Sequence, residues 1–169
     1  TRLGGRRFDA IRLRGPDTDL TVGLLPSARW LAASFETVDG LRHLPNLPTE
    51  EVFTTPDPAR TEGHVASTMP LVLRDGTIIR GLRVRFEGGK AVEIDADENG
   101  EALRSALAVD ENGLRLGELA LVDGQGRIGP LGTVFYETLL DENAASHLAL
   151  GSGFPFLVDD VDKPRVNES

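Results

Sequence analysis

Tight-turn signals divide this sequence into short apolar segments, and this pattern limits the chain to a fold built mainly from short strands. The signals are Gly15-Pro16-Asp17, Asp75-Gly76 and Gly88-Gly89, and such pairs favour β-hairpins. The segment 82–87 alternates apolar and charged residues, as a strand with one solvent-facing side does. Because tight turns join antiparallel neighbours, the sequence predicts an α+β, strand-rich domain with a mixed or antiparallel sheet and a few helices.

The same patterns place the individual elements. Helices are predicted over residues 100–109 and 141–150, the second with Asp141 as its N-cap and Gly151 as its stop. Four prolines lie between residues 44 and 58, and we expect them to exclude a helix interior and a central strand there. Strands are predicted over residues 7–13, 20–24, 29–33, 64–68, 69–73, 77–86, 91–94, 114–122 and 133–140.

Charge and composition argue against several kinds of partner and location. The chain carries 18 Lys and Arg against 27 Asp and Glu, a net charge of -9, which disfavours a nucleic acid partner because phosphate binding needs excess positive charge. No apolar run approaches the roughly 18 residues of a membrane span, so no membrane partner is expected. The absence of cysteine excludes disulfides and thiolate metal ligands and favours a cytoplasmic location.

Glu118 is the acidic residue whose sequence context is hardest to explain as an ordinary surface group. It interrupts the apolar segment 114–122, and an ionised carboxylate buried there costs several kcal/mol unless it is paired or bound to metal. In an unbroken strand, Leu116 and Ala120 would share its side, which is unusual for a solvent-facing position. We therefore interpret Glu118 as a candidate functional residue.

Three other residues have contexts that allow either a functional or a structural role. Glu51 lies in the proline-rich stretch and could be a solvated acid. Glu142 could be favoured by the dipole of the predicted second helix, and His147 could be a packed helix residue. Their five-residue separation would not place both side chains at one point on a helix. Together with Glu118, these side chains would suit zinc, cobalt or manganese.

Four segments carry a resemblance to a known family: 46–54, 67–71, 116–122 and 135–151. At these positions the sequence resembles the thermophilic metalloprotease family of aminopeptidases, of the aminopeptidase T and aminopeptidase S type. The resemblance implies hydrolysis of N-terminal amino acids from peptides by a water that two divalent metal ions activate. It also implies a homodimer. The metal ligands that it implies are Glu51, Glu118, Glu142 and His147, with Glu118 or Glu51 as general base.

The sequence departs from the family pattern in two places. The family has a tyrosine seven residues after the ligand histidine, where this chain has Phe154. The family completes its metal site with a His-x-Asp pair shortly after an Asn-x-Ser sequence, and here 167–169 are the last residues. The resemblance therefore implies that 1–169 is a partial catalytic domain, without the family's N-terminal domain and final ligands, within a larger two-domain enzyme.

Such a piece is expected to have little activity alone, because a metal site that lacks ligands binds weakly. Two other hypotheses stay open from the sequence. One is a non-catalytic domain that keeps the fold for dimerisation or peptide binding. The other is an unrelated β-rich hydrolase with one metal ion.

Overall fold

The computed structural model describes residue 3 and residues 5–32 and 34–169, and its regular structure is mostly β-strand. In chain order the strands are β1 (Ala10–Gly15), β2 (Thr18–Leu24), β3 (Leu31–Ala32), β4 (Phe35–Glu36), β5 (Arg42–His43), β6 (Glu51–Thr54), β7 (Pro56–Ala66), β8 (Leu71–Val72), β9 (Ile78–Ile79), β10 (Arg83–Glu87), β11 (Lys90–Asp95), β12 (Leu116–Val122) and β13 (His147–Leu150). The α-helices are α1 (Gly100–Leu107) and α2 (Thr138–Glu142), and short 3-10 helices cover Glu111–Leu114, Gly129–Leu131, Pro155–Leu157 and Lys163–Arg165.

Two antiparallel sheets organise these strands. The first has the order β1-β2-β7-β10-β11 and the second the order β13-β12-β6-β3, while β4 pairs with β5 and β8 with β9. Every pairing between these strands is antiparallel. The predicted strand-rich α+β class is therefore confirmed. Within the described residues, no helix is long and apolar enough to cross a membrane.

The two sheets share one hydrophobic core. It combines buried side chains of the first sheet, such as Leu20 and Phe86, with Leu119 of β12 and Leu103 of α1. A smaller cluster is formed by the buried side chains of Phe53, Ala120 and Leu157, with Leu31, Phe35 and Phe154 packed against them. Leu119 and Ala120 are neighbours in β12 and belong to different clusters, because successive side chains in a strand point to opposite faces. The second sheet is consequently covered on both faces.

The three predicted hairpins are confirmed. Residues 16–17 join β1 to β2, and residues 88–89 join β10 to β11. Asp75 and Gly76 lie in the turn between β8 and β9. Both Gly88 and Gly89 have positive φ angles, which glycine adopts without steric cost. These turns were predictable because the residues that favour them are adjacent in sequence.

The expectation that prolines exclude a central strand between residues 44 and 58 is wrong. Strand β6 lies inside this stretch, and β7 begins at Pro56 and runs through the middle of the first sheet. The prolines are tolerated because Pro56 and Pro58 stand at the start of β7, where β2 is the paired strand among the described residues. Pairing with β10 begins later, at Gly63. No ladder hydrogen bond from a proline nitrogen is therefore needed on that side.

Three further element predictions are wrong. Residues 133–140 contain no strand, and α2 covers the end of that range. The predicted helix over 141–150 is replaced by the last residues of α2 and by β13, because residues 147–150 pair with β12. The predicted strand 77–86 is split into β9 and β10. The predicted strand 29–33 shortens to β3, with Ala33 outside the described residues.

Candidate metal centre

Three neighbouring strands of the second sheet bring together the side chains of two glutamates and one histidine. Glu51 begins β6, Glu118 lies in β12, and His147 begins β13. One ligand atom from each side chain lies within 4.8 Å of the other two. Ala120 is paired with His147 in the sheet and Val122 with Glu51. The side chains from the two outer strands therefore converge over the central strand, where the small side chain of Ala120 leaves room for them.

A bulge in β12 aims the side chain of Glu118 at this point. The register between β12 and β13 shifts between Leu116 and Glu118, so Leu116 enters the main core and Glu118 faces the opposite side. A β-bulge redirects side chains in this way. Gly117 is required at the bulge, because a Cβ there would clash with the carbonyl oxygens of Gly151 and Ser152. The bulge therefore explains how Leu116 can enter the core while the carboxylate of Glu118, two residues later in the same apolar strand, faces the opposite side.

The imidazole of His147 is oriented by its backbone surroundings. Its Nδ1 atom lies 3.2 Å from the carbonyl oxygen of Ala145, and its Nε2 atom lies 3.1 Å from Oε2 of Glu51. A proton on Nδ1 donates to that carbonyl and leaves the Nε2 lone pair facing the carboxylates, as in many metal-bound histidines. Although Nε2 is close, Oε2 of Glu51 is buried and receives no well-aligned hydrogen bond. A buried carboxylate oxygen without a donor is costly, and a cation would satisfy it.

Glu142 lies near this group of three but does not belong to it. It is the last residue of α2, outside the set whose ligand atoms lie within 4.8 Å of one another. Its side chain lines the same cavity as Glu51 and Glu118. The five-residue separation from His147 is explained because α2 ends at Glu142 and the chain then extends into β13.

The cavity beside these carboxylates has a volume of about 220 Å³ and an aromatic wall. Phe154 lies between two other rings, with centroids 5.3 Å from Phe53 and 5.5 Å from Phe156. Phe35 contacts Phe156 with an edge-to-face geometry at 6.3 Å. The cavity therefore has one acidic side and one apolar side.

Burial and mutual repulsion perturb the ionisation of this cluster. Burial raises the pKa of Glu118 from 4.5 to about 7; the charge of His147 opposes this rise, and Glu51 and Glu142 add to it. Burial also raises the pKa of Glu142. For His147, burial acts to lower the pKa, but contact with the Glu51 carboxylate and with the Ala145 carbonyl raises it overall. Without a cation, protons are therefore held on this cluster near neutral pH.

The sequence matches a protein family model along its whole length. The sequence model described as thermophilic metalloprotease (M29) matches residues 1–169. The chain belongs to this family. Membership confirms the resemblance expected from the sequence and implies a divalent metal, and it makes the Glu51, Glu118 and His147 group the candidate centre.

Relatives of this metalloprotease family member include proteins named as aminopeptidases. Aminopeptidase T of Thermus aquaticus is 48% identical over 152 residues, which cover 90% of this chain and 37% of that protein. Aminopeptidase PepS of Streptococcus thermophilus is 44% identical over 158 residues, covering 93% of this chain and 38% of that protein. The chain thus spans less than half the length of these curated relatives.

Two solved structures resemble the fold. Wild-type AmpT from Thermus thermophilus superimposes with a TM-score of 0.94 at 45% identity, over 99% of this chain and 43% of that one. A 2,5-dihydroxypyridine dioxygenase from Pseudomonas putida superimposes with a TM-score of 0.63 at 14% identity, over 86% of this chain and 44% of that one. At this low identity the second comparison concerns the fold alone.

Sequence reasoning missed two residues that shape this candidate site. Thr55 is fully buried, and its hydroxyl donates to the carbonyl of Gly117 at the bulge and accepts from the backbone N–H of Phe154. Asn143 is 1% exposed and accepts from the backbone N–H of Glu50, next to Glu51. For Asn143 the available signal was a polar residue directly adjacent to the candidate ligand Glu142, whereas Thr55 is not adjacent to any candidate ligand. The importance of both residues appears only when distant strands are paired.

Proposed function

We propose that this chain forms part of a metal-dependent aminopeptidase that hydrolyses N-terminal amino acids from peptides. The observation that carries the proposal is the convergence of Glu51, Glu118 and His147 within 4.8 Å in a member of the thermophilic metalloprotease family. A homodimer and a cytoplasmic location, expected from the sequence, remain part of the proposal.

The donor set fits a hard or borderline divalent cation. Two carboxylates and one imidazole nitrogen suit zinc, cobalt or manganese. Glu51 offers a buried oxygen that lacks a hydrogen-bond donor, and Glu142 adds a third carboxylate on the cavity wall. We propose that these residues would contribute ligands to a site for two ions. When bound, the ions would polarise the scissile carbonyl and lower the pKa of the attacking water.

We assign the role of general base to Glu118 and a ligand role to Glu51. Glu118 lines the cavity, and a general base must lie within hydrogen-bond reach of the water that it deprotonates. Glu51 instead faces Nε2 of His147 at 3.1 Å, which commits its carboxylate to the ligand cluster. Glu118 would take a proton from the attacking water and return it to the leaving amine.

The rest of the cavity suits a peptide end. Its apolar side, formed by rings such as Phe53, Phe154 and Phe156, would accept an apolar side chain. Phe154 has no hydroxyl and cannot donate a hydrogen bond to a tetrahedral intermediate. Loss of such a donor typically costs on the order of 10²-fold in turnover. We therefore expect slower turnover than in relatives with tyrosine at this position.

The decisive experiment uses a chimera in which these 169 residues replace the matching part of Thermus thermophilus AmpT. We expect the chimera to release N-terminal residues from peptides, to lose this activity with a chelator, and to lose it with Glu118→Gln. The 169-residue chain alone should bind metal weakly and show little turnover. A folded chimera that releases no N-terminal residues, both as Phe154 and as Phe154→Tyr, would contradict the enzyme proposal and favour a non-catalytic binding domain.

A further inference from the structure

A single buried amide side chain links the backbones beside two of the candidate ligands. Asn143 directly follows Glu142, and its Oδ1 atom accepts a 2.6 Å hydrogen bond from the backbone N–H of Glu50, which directly precedes Glu51. Its Nδ2 atom donates to the carbonyl of Leu139 at 2.9 Å. The two linked residues are 93 positions apart in the chain, so no local structure fixes their separation.

Glu50 is held from its other side by a glycine-rich loop. Its side chain is 9% exposed, and its carboxylate accepts hydrogen bonds from the backbone N–H groups of Arg127 and Ile128 at 2.6 and 3.2 Å. The Arg127 guanidinium adds a third contact at 2.5 Å. A Cβ on Gly126 would lie 2.4 Å from Oε2 of Glu50, so a larger residue there would displace the Glu50 carboxylate. This contact accounts for Gly126 in a glycine-rich sequence that has no nucleotide-binding spacing.

The same loop also packs next to Asn143. A Cβ on Gly129 would lie 2.7 Å from the carbonyl oxygen of Ala144, so the loop contacts the backbone on both sides of the Glu50–Asn143 link. Neither Glu50 nor Asn143 lines the cavity. Any effect of these residues on the site must act through Glu51 and Glu142.

We infer that Asn143 and Glu50 are positioning residues that hold the Glu51 and Glu142 carboxylates at the separation that metal binding requires. The inference rests on the proposed function. The carboxylates of Glu51, Glu118 and Glu142 repel one another, and a cluster of like charges spreads apart unless its backbone supports are fixed. Residues that orient metal ligands from behind typically contribute about 10- to 100-fold to metal affinity.

Calorimetric titration of the metal-free AmpT chimera with Co²⁺ tests this inference, because the 169-residue chain alone is expected to bind metal weakly. Asn143→Leu removes both hydrogen bonds and should weaken Co²⁺ binding about 10- to 100-fold. Asn143→Asp keeps the acceptor for the Glu50 N–H and should recover most of the affinity. If Asn143→Leu does not fold, Glu50→Gln provides the same test. This substitution weakens the contacts to the loop and should cause a smaller loss of affinity for Co²⁺.

Ser27→Ala is the matched control. Ser27 is also buried, and its hydroxyl joins distant segments by donating to Asp162 and accepting from the backbone N–H of Asp159, away from the cavity. It should lower the melting temperature and leave Co²⁺ affinity unchanged. Unchanged affinity in folded Asn143→Leu would overturn the positioning role while leaving the proposed function intact. Absence of any Co²⁺ binding by the unmodified chimera would overturn the proposed function itself.

Discussion

Replacing Glu118 with glutamine should stabilise the metal-free chain at alkaline pH and leave it unchanged at acidic pH. The pKa of Glu118 is about 7 in the folded chain against an ordinary value of 4.5. Below pH 4.5 the carboxyl is protonated in both folded and unfolded chains. As the pH rises from 4.5 to about 7, the unfolded chain loses this proton first, so the free energy of unfolding decreases. Above about pH 7 the loss is complete, and glutamine avoids it.

The magnitude follows from the two pKa values. At 1.36 kcal/mol for each pKa unit, the full difference corresponds to about 3 kcal/mol. Glu118 is only partly buried, and screening by solvent reduces this to about 1–2 kcal/mol. For a chain of this size, that is roughly 3–6 °C in melting temperature. His147 acts in the same direction, because its pKa is raised in the folded chain and its stabilising contribution is lost as the pH rises.

Thermal unfolding followed by circular dichroism between pH 4.5 and 8, with a chelator present, measures this effect. Glu118→Gln should melt above the unmodified chain at pH 8 and together with it at pH 4.5. Glu36→Gln changes an exposed carboxylate that does not line the cavity and should follow the unmodified chain throughout. Equal melting temperatures for Glu118→Gln and the unmodified chain at pH 8 would refute the argument that burial and neighbouring acids hold a proton on Glu118.

Two further predictions concern the walls of the site. Ala120→Leu adds volume at a fully buried position beneath the converging ligands. It should destabilise the chain by about 1–3 kcal/mol and, in the AmpT chimera, abolish Co²⁺ binding measured by calorimetry. Ala108→Leu, at the end of α1, should not affect binding. Phe154→Tyr in the AmpT chimera should raise kcat by up to about 10²-fold with little change in KM, and an unchanged kcat in steady-state assays would show that the ring does not reach the reacting carbonyl.

Local sequence signals were sufficient for the hairpins and for α1 but not for the central strands. Turns such as Gly88-Gly89 depend on the conformational freedom of two adjacent residues, so they can be inferred from those residues alone. Strand β7 starts with two prolines and is stabilised by β2 and β10, which are distant in sequence. Residues 147–150 contain good helix formers, yet pairing with β12 determines their conformation, because tertiary contacts override weak intrinsic propensities.

For the candidate site too, the residue types could be inferred from the sequence but their arrangement in space could not. The family resemblance implied a cluster of carboxylates and an imidazole, but a five-residue separation argued against Glu142 and His147 facing the same point on a helix. The separation becomes reasonable once a helix ends at the first residue and a strand begins at the second. The link from Asn143 to Glu50 then fixes how far the end of α2 lies from β6. Some buried polar residues directly follow a candidate ligand but take no part in catalysis themselves. Such a residue is therefore a useful sign that two distant ligands share one site.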